Sequence, residues 1–316
     1  MTEIVFKASG LTKKYLKPGF GPGWMTPVLD HFNMEIRRGE IYGFVGSNGA
    51  GKTTLIRILA GFARPTGGRL ELFGEEDPRK LYLQRRRING IIEKPAIYPH
   101  LTAKDNLEVC RLQRGIRGTQ CITEILKAVD LSDTGHKKAK NFSLGMKQRL
   151  GIAMALLGEP EFLFLDEPIN GLDPEGMAAL RELLGRLHRE RGITILISSH
   201  LLSELHQLAT CYGFIHDGKM LEQITSEELD RKCGKYLHIK VDQAAKAEAF
   251  LRKTFQLHNL ETVPNNEINA YDIPDQLESG EICKALIQAG IHVKTVAVKD
   301  TDLEKYYLSL IGRTTK

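Results

Sequence analysis

The nine residues Gly46 to Thr54, GSNGAGKTT, stand between EIYGFVG, a run of β-branched and aromatic residues ending on glycine, and KTTLIRILAG, whose apolar positions recur at helical spacing. A buried strand that feeds a helix through a glycine-rich loop commits this part of the chain to a layered α/β architecture. The loop matches the phosphate-binding pattern at every fixed position and has the strand and helix that the pattern requires. A phosphate chain needs backbone N–H groups at close range, and Gly46, Gly49 and Gly51 allow this because they lack side chains and tolerate positive φ. Lys52 supplies a mobile charge to β- and γ-phosphates, Thr53 offers a hydroxyl to Mg²⁺, and the helix N-terminus adds its dipole. Ser47, Asn48, Ala50 and Thr54 complete the loop. ATP and Mg²⁺ are therefore the expected ligands.

Two later segments repeat the strand-helix rhythm. FLFLDEP and ITILISSH are short and almost wholly apolar, and PEGMAALRELLGRLHRER between them reads as a helix, the pattern of a parallel sheet with crossover helices. Asp166 ends the first strand, where a buried carboxylate requires a cation, and Mg²⁺ would be that cation. Glu167, next along, could orient or deprotonate an attacking water. The second strand ends on His200 and delivers an imidazole to the same sheet edge, in reach of a γ-phosphate and water.

The remainder of the chain sets the frame. At 316 residues there is room for a large domain with a smaller companion. The first strand, around Ile4, Phe6 and Ala8, alternates and reads as an edge strand, and KPGFGPGWMTP after it is a Gly/Pro-rich loop carrying the only tryptophan, Trp24. Helical spacing prevails from about Glu93 to Asn141. RKLYLQRRR reads as a solvated helix face. Near Thr225 the character changes, and from Tyr236 the order strand, helix, two strands about Asn265 and Asn266, helix, strand, helix describes a small α+β domain. We therefore expect an ATPase core over 1–225, with a helical subdomain over about 94–150, and an accessory domain over 226–316. Five scattered cysteines suggest a reduced compartment, the formal charge of +5 gives little support for nucleic acid binding, and no apolar run is long enough to cross a bilayer.

The order of motifs from Gly46 to His200 resembles that of the ATP-binding subunits of ABC transporters. The resemblance implies further roles. FSLGMKQR, Phe142 to Arg149, stands at the signature, with Ser143 and Gly145 at the positions of its serine and second glycine, while Leu144 and Met146 depart from the commonest form. NGLDP supplies a D-loop with Asp173, and Tyr15 resembles the aromatic that stacks on adenine, with Trp24 as its rival. The family implies a head-to-tail dimer, most simply of identical subunits, in which the signature of one subunit closes over the ATP held by the other.

IIEKPAIYPHLTAKDNL, FSLGMKQRLGIAMALLGEPEFLFLDEPINGLDPEG and ISSHLLSEL look like the bacitracin-resistance and lantibiotic self-protection subfamily, whose members carry glutamate where other members have the glutamine of the Q-loop. By that resemblance Glu93 reaches toward Mg²⁺ and the attacking water, and Lys94 to Thr102 faces a membrane subunit. The implied protein is a peripheral ATPase on the cytoplasmic face of the membrane, docked on polytopic membrane subunits that move antimicrobial peptides. The alternatives are an exporter of ions, drugs or other small molecules, and a soluble ABC ATPase outside transport.

Overall fold

The computed structural model describes residues 3–16, 25–271, 273–274, 277–301 and 303–314. Trp24 and most of the Gly/Pro-rich loop lie outside them. The described chain divides into two compact units, Met1–Ile224 and Thr225–Lys316.

The first unit is built on a six-stranded sheet in the order Ile88–Ile91, Phe162–Asp166, Thr194–Ser199, Ile41–Val45, Cys211–His216, Lys219–Thr225. The first five run parallel. Every residue of Ile41–Val45, Phe162–Asp166 and Thr194–Ser199 is buried, as expected of strands covered on both faces. The last two strands are joined by Asp217 and Gly218, both at positive φ, the conformation that suits a two-residue hairpin turn.

A second, three-stranded antiparallel sheet has Ile4–Leu16 at its centre, between Met25–Arg37 and Gly67–Leu72. This corrects the expectation of an edge strand. The alternation in the sequence is not carried through to burial: Val5 and Phe6 are both fully buried, and the register with Met25–Arg37 slips between Ile4 and Phe6 and again beyond Ala8. Phe6, Leu29, Phe32 and Ile36 of this sheet share one core with Tyr42, Phe44 of the parallel sheet and Leu55, Ile56 of the helix Lys52–Leu59. That core clamps the helix behind the phosphate loop.

The helical segment comprises Ala103–Gln113, Gln120–Ala128 and Leu144–Leu156, the last running beyond the residues expected. Thr102 and Asp105 form a reciprocal capping box at the first. RKLYLQRRR is only partly a solvated face: Leu81 is buried, Arg85 donates to the carbonyls of Leu59 and Ile58, and Arg87 binds Glu161 and lies 3.7 Å from the ring centroid of Phe73. No described helix is long and apolar enough to cross a membrane.

The second unit runs from the helix Ser226–Lys232 into Gly234–Val241, Ala244–Phe255, Leu260–Val263, Glu267–Ala270, Ser279–Gln288, Val293–Thr301 and Leu303–Thr314. Its four strands pair antiparallel in the order Leu260–Val263, Glu267–Ala270, Gly234–Val241, Val293–Thr301. This is the βαββαβ arrangement of a split βαβ sheet. Leu237, Ile239, Ile268 and Ala270 point to one face and pack with Leu251, Ile282 and Leu286 of two helices, so the unit has a hydrophobic core of its own.

Candidate functional site

The phosphate loop leaves the end of Ile41–Val45 into the helix Lys52–Leu59. A Cβ on Gly46 would lie 2.7 Å from the carbonyl oxygen of Ile215, and one on Gly51, at φ +113°, would lie 2.7 Å from that of Val28. Only glycine lets the loop wind this tightly. Lys52 is turned inward, 5% exposed, with its Nζ donating to the carbonyls of Gly46 at 2.5 Å and Ser47 at 3.2 Å and standing 3.1 Å from Glu167 Oε1. Ser47, Asn48, Gly49 and Thr54 join Lys52 and Glu167 around a small cavity of about 190 Å³. Ala50 is buried beneath it, and its carbonyl accepts from Gly218 N.

Strand register gathers the acids and the histidine. Val45 pairs with Ser199, and Asp166 with Ser198, so three strands end level and Gly46, Glu167 and His200 emerge at one sheet edge. Asp166 is 2% exposed, and its two oxygens accept from Thr53 Oγ1 at 2.8 Å and Ser198 Oγ at 2.6 Å. The same Ser198 oxygen accepts from the backbone N–H of Glu167 at 2.9 Å. Glu167 has φ 49°, a left-handed conformation uncommon outside glycine, which directs its carboxylate back over the loop. Its Oε2 lies 2.8 Å from His200 Nδ1, while Oε1 is buried without a hydrogen-bond partner, facing the Lys52 ammonium. An ionised Glu167 requires the proton on His200 Nδ1. Thr53 and Asp166 together offer a hard oxygen donor set, which fits a small divalent cation.

Glu93 follows the strand Ile88–Ile91, whose Ile91 pairs with Leu165, and it also has positive φ, 60°. It lines a larger cavity of about 750 Å³ with Thr53, Asp166 and Glu167. Its own carboxylate is 61% exposed and accepts from Arg57 of the helix Lys52–Leu59. The chain beyond it is braced by Asn106, fully buried, whose side chain accepts from Tyr98 N at 2.7 Å and donates to the carbonyls of Tyr98 and Thr102 at 3.1 and 2.8 Å. Lys94, Lys140 and Lys147 give the same cavity a positive wall.

Ser143, Gly145 and Asp173 lie around a third cavity, about 460 Å³, and do not line the one at the phosphate loop. Ser143 caps the helix Leu144–Leu156 by accepting from Met146 N at 3.2 Å, and Asp173 caps Pro174–Arg191 by accepting from Gly176 N at 3.0 Å. Tyr15 is 40% exposed near the end of its strand, with Lys13 Nζ 4.8 Å from its ring centroid. Trp24, its rival, is outside the described residues.

Sequence reasoning overlooked two residues. Ser198 joins Asp166 to Glu167, and the doubled serine before His200 was its signal. Arg57 falls four residues after Thr53, so helical spacing put it on the same face of that helix, while its contact with Glu93, 36 positions on, depends on how the helix and the strand Ile88–Ile91 are placed.

The model of the family described as ABC transporter matches residues 29–170. The bacitracin transport ATP-binding protein BcrA of Bacillus licheniformis is 42% identical over 310 residues, 98% of each chain. The lantibiotic transport ATP-binding protein SrtF of Streptococcus pyogenes is 44% identical over 194 residues, 61% of this chain and 82% of that one. Among solved structures, a dimeric ATP-binding cassette in a post-hydrolysis state with ADP and phosphate superposes with a TM-score of 0.61 at 25% identity, covering 70% of this chain and 98% of its own. The chain belongs to the ATP-binding subunits of ABC transporters, and it is an ATPase whose hydrolysis of ATP is coupled to transport.

Proposed function

We propose that this subunit powers a transporter that removes antimicrobial peptides of the bacitracin or lantibiotic type. The observation that carries the reading is similarity along nearly the whole chain, second unit included, to a bacitracin transport subunit. In this reading two copies pair head to tail, each phosphate loop facing the Ser143 and Gly145 segment of the other, and both dock as peripheral subunits on separate polytopic membrane proteins. The separation of the signature cavity from the phosphate-loop cavity within one chain supports such pairing.

Within the site, the Lys52 ammonium donates to the carbonyls of Gly46 and Ser47 and faces Glu167 as an ion pair. A γ-phosphate entering the cradle competes with Glu167 for the ammonium and leaves that carboxylate free to take a proton from water. His200, hydrogen-bonded to the far oxygen, fixes the orientation of Glu167. Thr53 and Asp166 would hold Mg²⁺, which when bound neutralises charge on the phosphates. Glu93 shares the cavity, where Arg57 keeps its charge from adding to that of Asp166 and Glu167.

The test is co-expression with the membrane proteins that copurify with it, in cells sensitive to such peptides. The expected result is raised resistance to bacitracin or a lantibiotic that disappears with Glu167→Gln. Unchanged peptide sensitivity together with altered tolerance of ions or other drugs would overturn the peptide assignment.

A further inference from the structure

Two turns of the first unit meet at a pair of leucines. Ser143 and Leu144 open the helix Leu144–Leu156, and Gly171 and Leu172 lead into Pro174–Arg191. Gly171 is at φ +77°, and a Cβ there would stand 3.3 Å from Leu144 Cδ2, so this methyl lies over the bare face of the glycine. In return Leu172, which is buried, lies against Gly145 and Gly176, where added Cβ atoms would stand 3.8 and 3.6 Å from its side chain. Each turn thus seats its leucine on a glycine of the other. Leu144 is one of the two departures from the commonest signature form, and a residue without its reach would leave Gly171 uncovered.

The turn that Leu144 touches begins at Glu167. Asn170 N donates to the Glu167 carbonyl at 3.2 Å, and Leu172 N to that of the buried Ile169 at 3.1 Å, so Glu167 to Leu172 forms two overlapping turns with little slack. Glu167 itself stands at φ 49°, a conformation kept only where the surroundings over-determine it. A displacement of Gly171 therefore acts on a backbone already held away from its preferred angles. Leu144 is also the one residue that lines both the signature cavity, with Ser143 and Gly145, and the cavity of Glu93 and Glu167.

We infer that Leu144 is a positioning residue for hydrolysis, tying the signature turn to the turn that carries Glu167 in the same chain. The inference rests on the head-to-tail reading, in which Ser143 and Gly145 close over the ATP of the other copy. Pressure on the signature from that nucleotide reaches Gly171 through Leu144, and Glu167 through the two turns. Packed side chains pass on such a displacement because they compress little. The base of one copy is set when the ATP of the other is in place, and hydrolysis becomes cooperative in ATP.

The test is steady-state hydrolysis against ATP concentration for the full chain, unaltered and carrying Leu144→Ala. Alanine keeps the helix and removes only the reach, and Leu144 is 46% exposed, so the variant should fold. The unaltered chain should give a Hill coefficient above one. Leu144→Ala should bring it to about 1 and lower kcat roughly tenfold, while the ATP concentration at half-maximal rate changes by less than about twofold. Leu144→Met, which restores the reach, should recover both. A fold merely loosened at this point would lose rate and keep its cooperativity; that result, or an unaltered chain without cooperativity, would overturn the inference. Size-exclusion chromatography of Glu167→Gln with ATP and Mg²⁺ separates the two levels: no dimer overturns the head-to-tail pairing itself, whereas a dimer beside an unchanged Hill coefficient in Leu144→Ala overturns this inference alone.

Discussion

Arg57 and Glu93 form an ion pair beside the cavity that Glu93 shares with Thr53, Asp166 and Glu167, joining the helix behind the phosphate loop to the segment that leaves the edge strand of the parallel sheet. Both side chains are largely in solvent, 46% and 61% exposed, so the pair adds at most about 1 kcal/mol to stability. Its consequence is positional, because it holds one carboxylate of an acidic site against a guanidinium. Arg57→Ala should hardly move the unfolding midpoint but should shift the Mg²⁺ dependence of hydrolysis to lower concentration, since a freed Glu93 adds an oxygen ligand. Glu93→Gln should remove that shift, leave ATP affinity nearly unchanged and reduce peptide resistance more than basal hydrolysis. Mg²⁺ titration of the ATPase rate beside a resistance assay checks both, and an abolished basal rate in Glu93→Gln would exchange the roles given to Glu93 and Glu167.

Glu167→Gln keeps the shape and hydrogen bonding of the side chain and removes its basicity. Hydrolysis should fall by roughly 10²- to 10⁴-fold while ATP binding persists. Size-exclusion chromatography with ATP and Mg²⁺ should then show an accumulated dimer. Near-normal turnover in this variant would contradict the assignment of Glu167 as the base.

Ser198 supplies one hydrogen bond to the buried carboxylate of Asp166 and receives one from the backbone of Glu167. Ser198→Ala leaves Asp166 with Thr53 as its remaining side-chain donor, which should cost about 1–3 kcal/mol because a buried charged acceptor loses a partner. Thermal unfolding measures this directly. Hydrolysis should fall as well, since Glu167 loses the contact that fixes its backbone; Ser198→Thr, which retains the hydroxyl, should restore part of both.

Glu161 lies between Arg87 and Arg38, and the hydrogen bond from Arg87, followed by that from Arg38, lowers its pKa from 4.5 to about 2. A carboxylate depressed on folding stabilises the native state above its unfolded pKa, and the contribution is lost as pH falls through the folded value. Wild type and Glu161→Gln should therefore differ in denaturant midpoint at neutral pH and converge between pH 4.5 and about 2. Solvent and salt screen this partly exposed cluster, so the difference should also shrink at high ionic strength. A gap that persists unchanged at pH 2 would assign the effect to packing.

Local spacing alone determined much of this protein. The phosphate loop needs a strand, a glycine-rich turn and a helix in immediate succession, and all three are contiguous in Ile41 to Leu59. Apolar runs closing on Asp166 and His200 likewise announce their strands, because a buried strand carries its burial in its own composition. The small second unit was legible as an element order for the same reason. What only the tertiary structure decided depends on residues far apart in sequence. Ile4–Leu16 became a central strand because partners from both sides pair with it, which its own alternation cannot reveal. Ser198 reached Asp166, and Arg57 reached Glu93, through strand register and helix placement. Tyr236 and Tyr271, 35 positions apart, met on one sheet face because strand pairing turned Tyr236 and the residue after Ala270 the same way. Pairing register is a long-range property, and a shift of one residue would have sent each of those side chains to the other face.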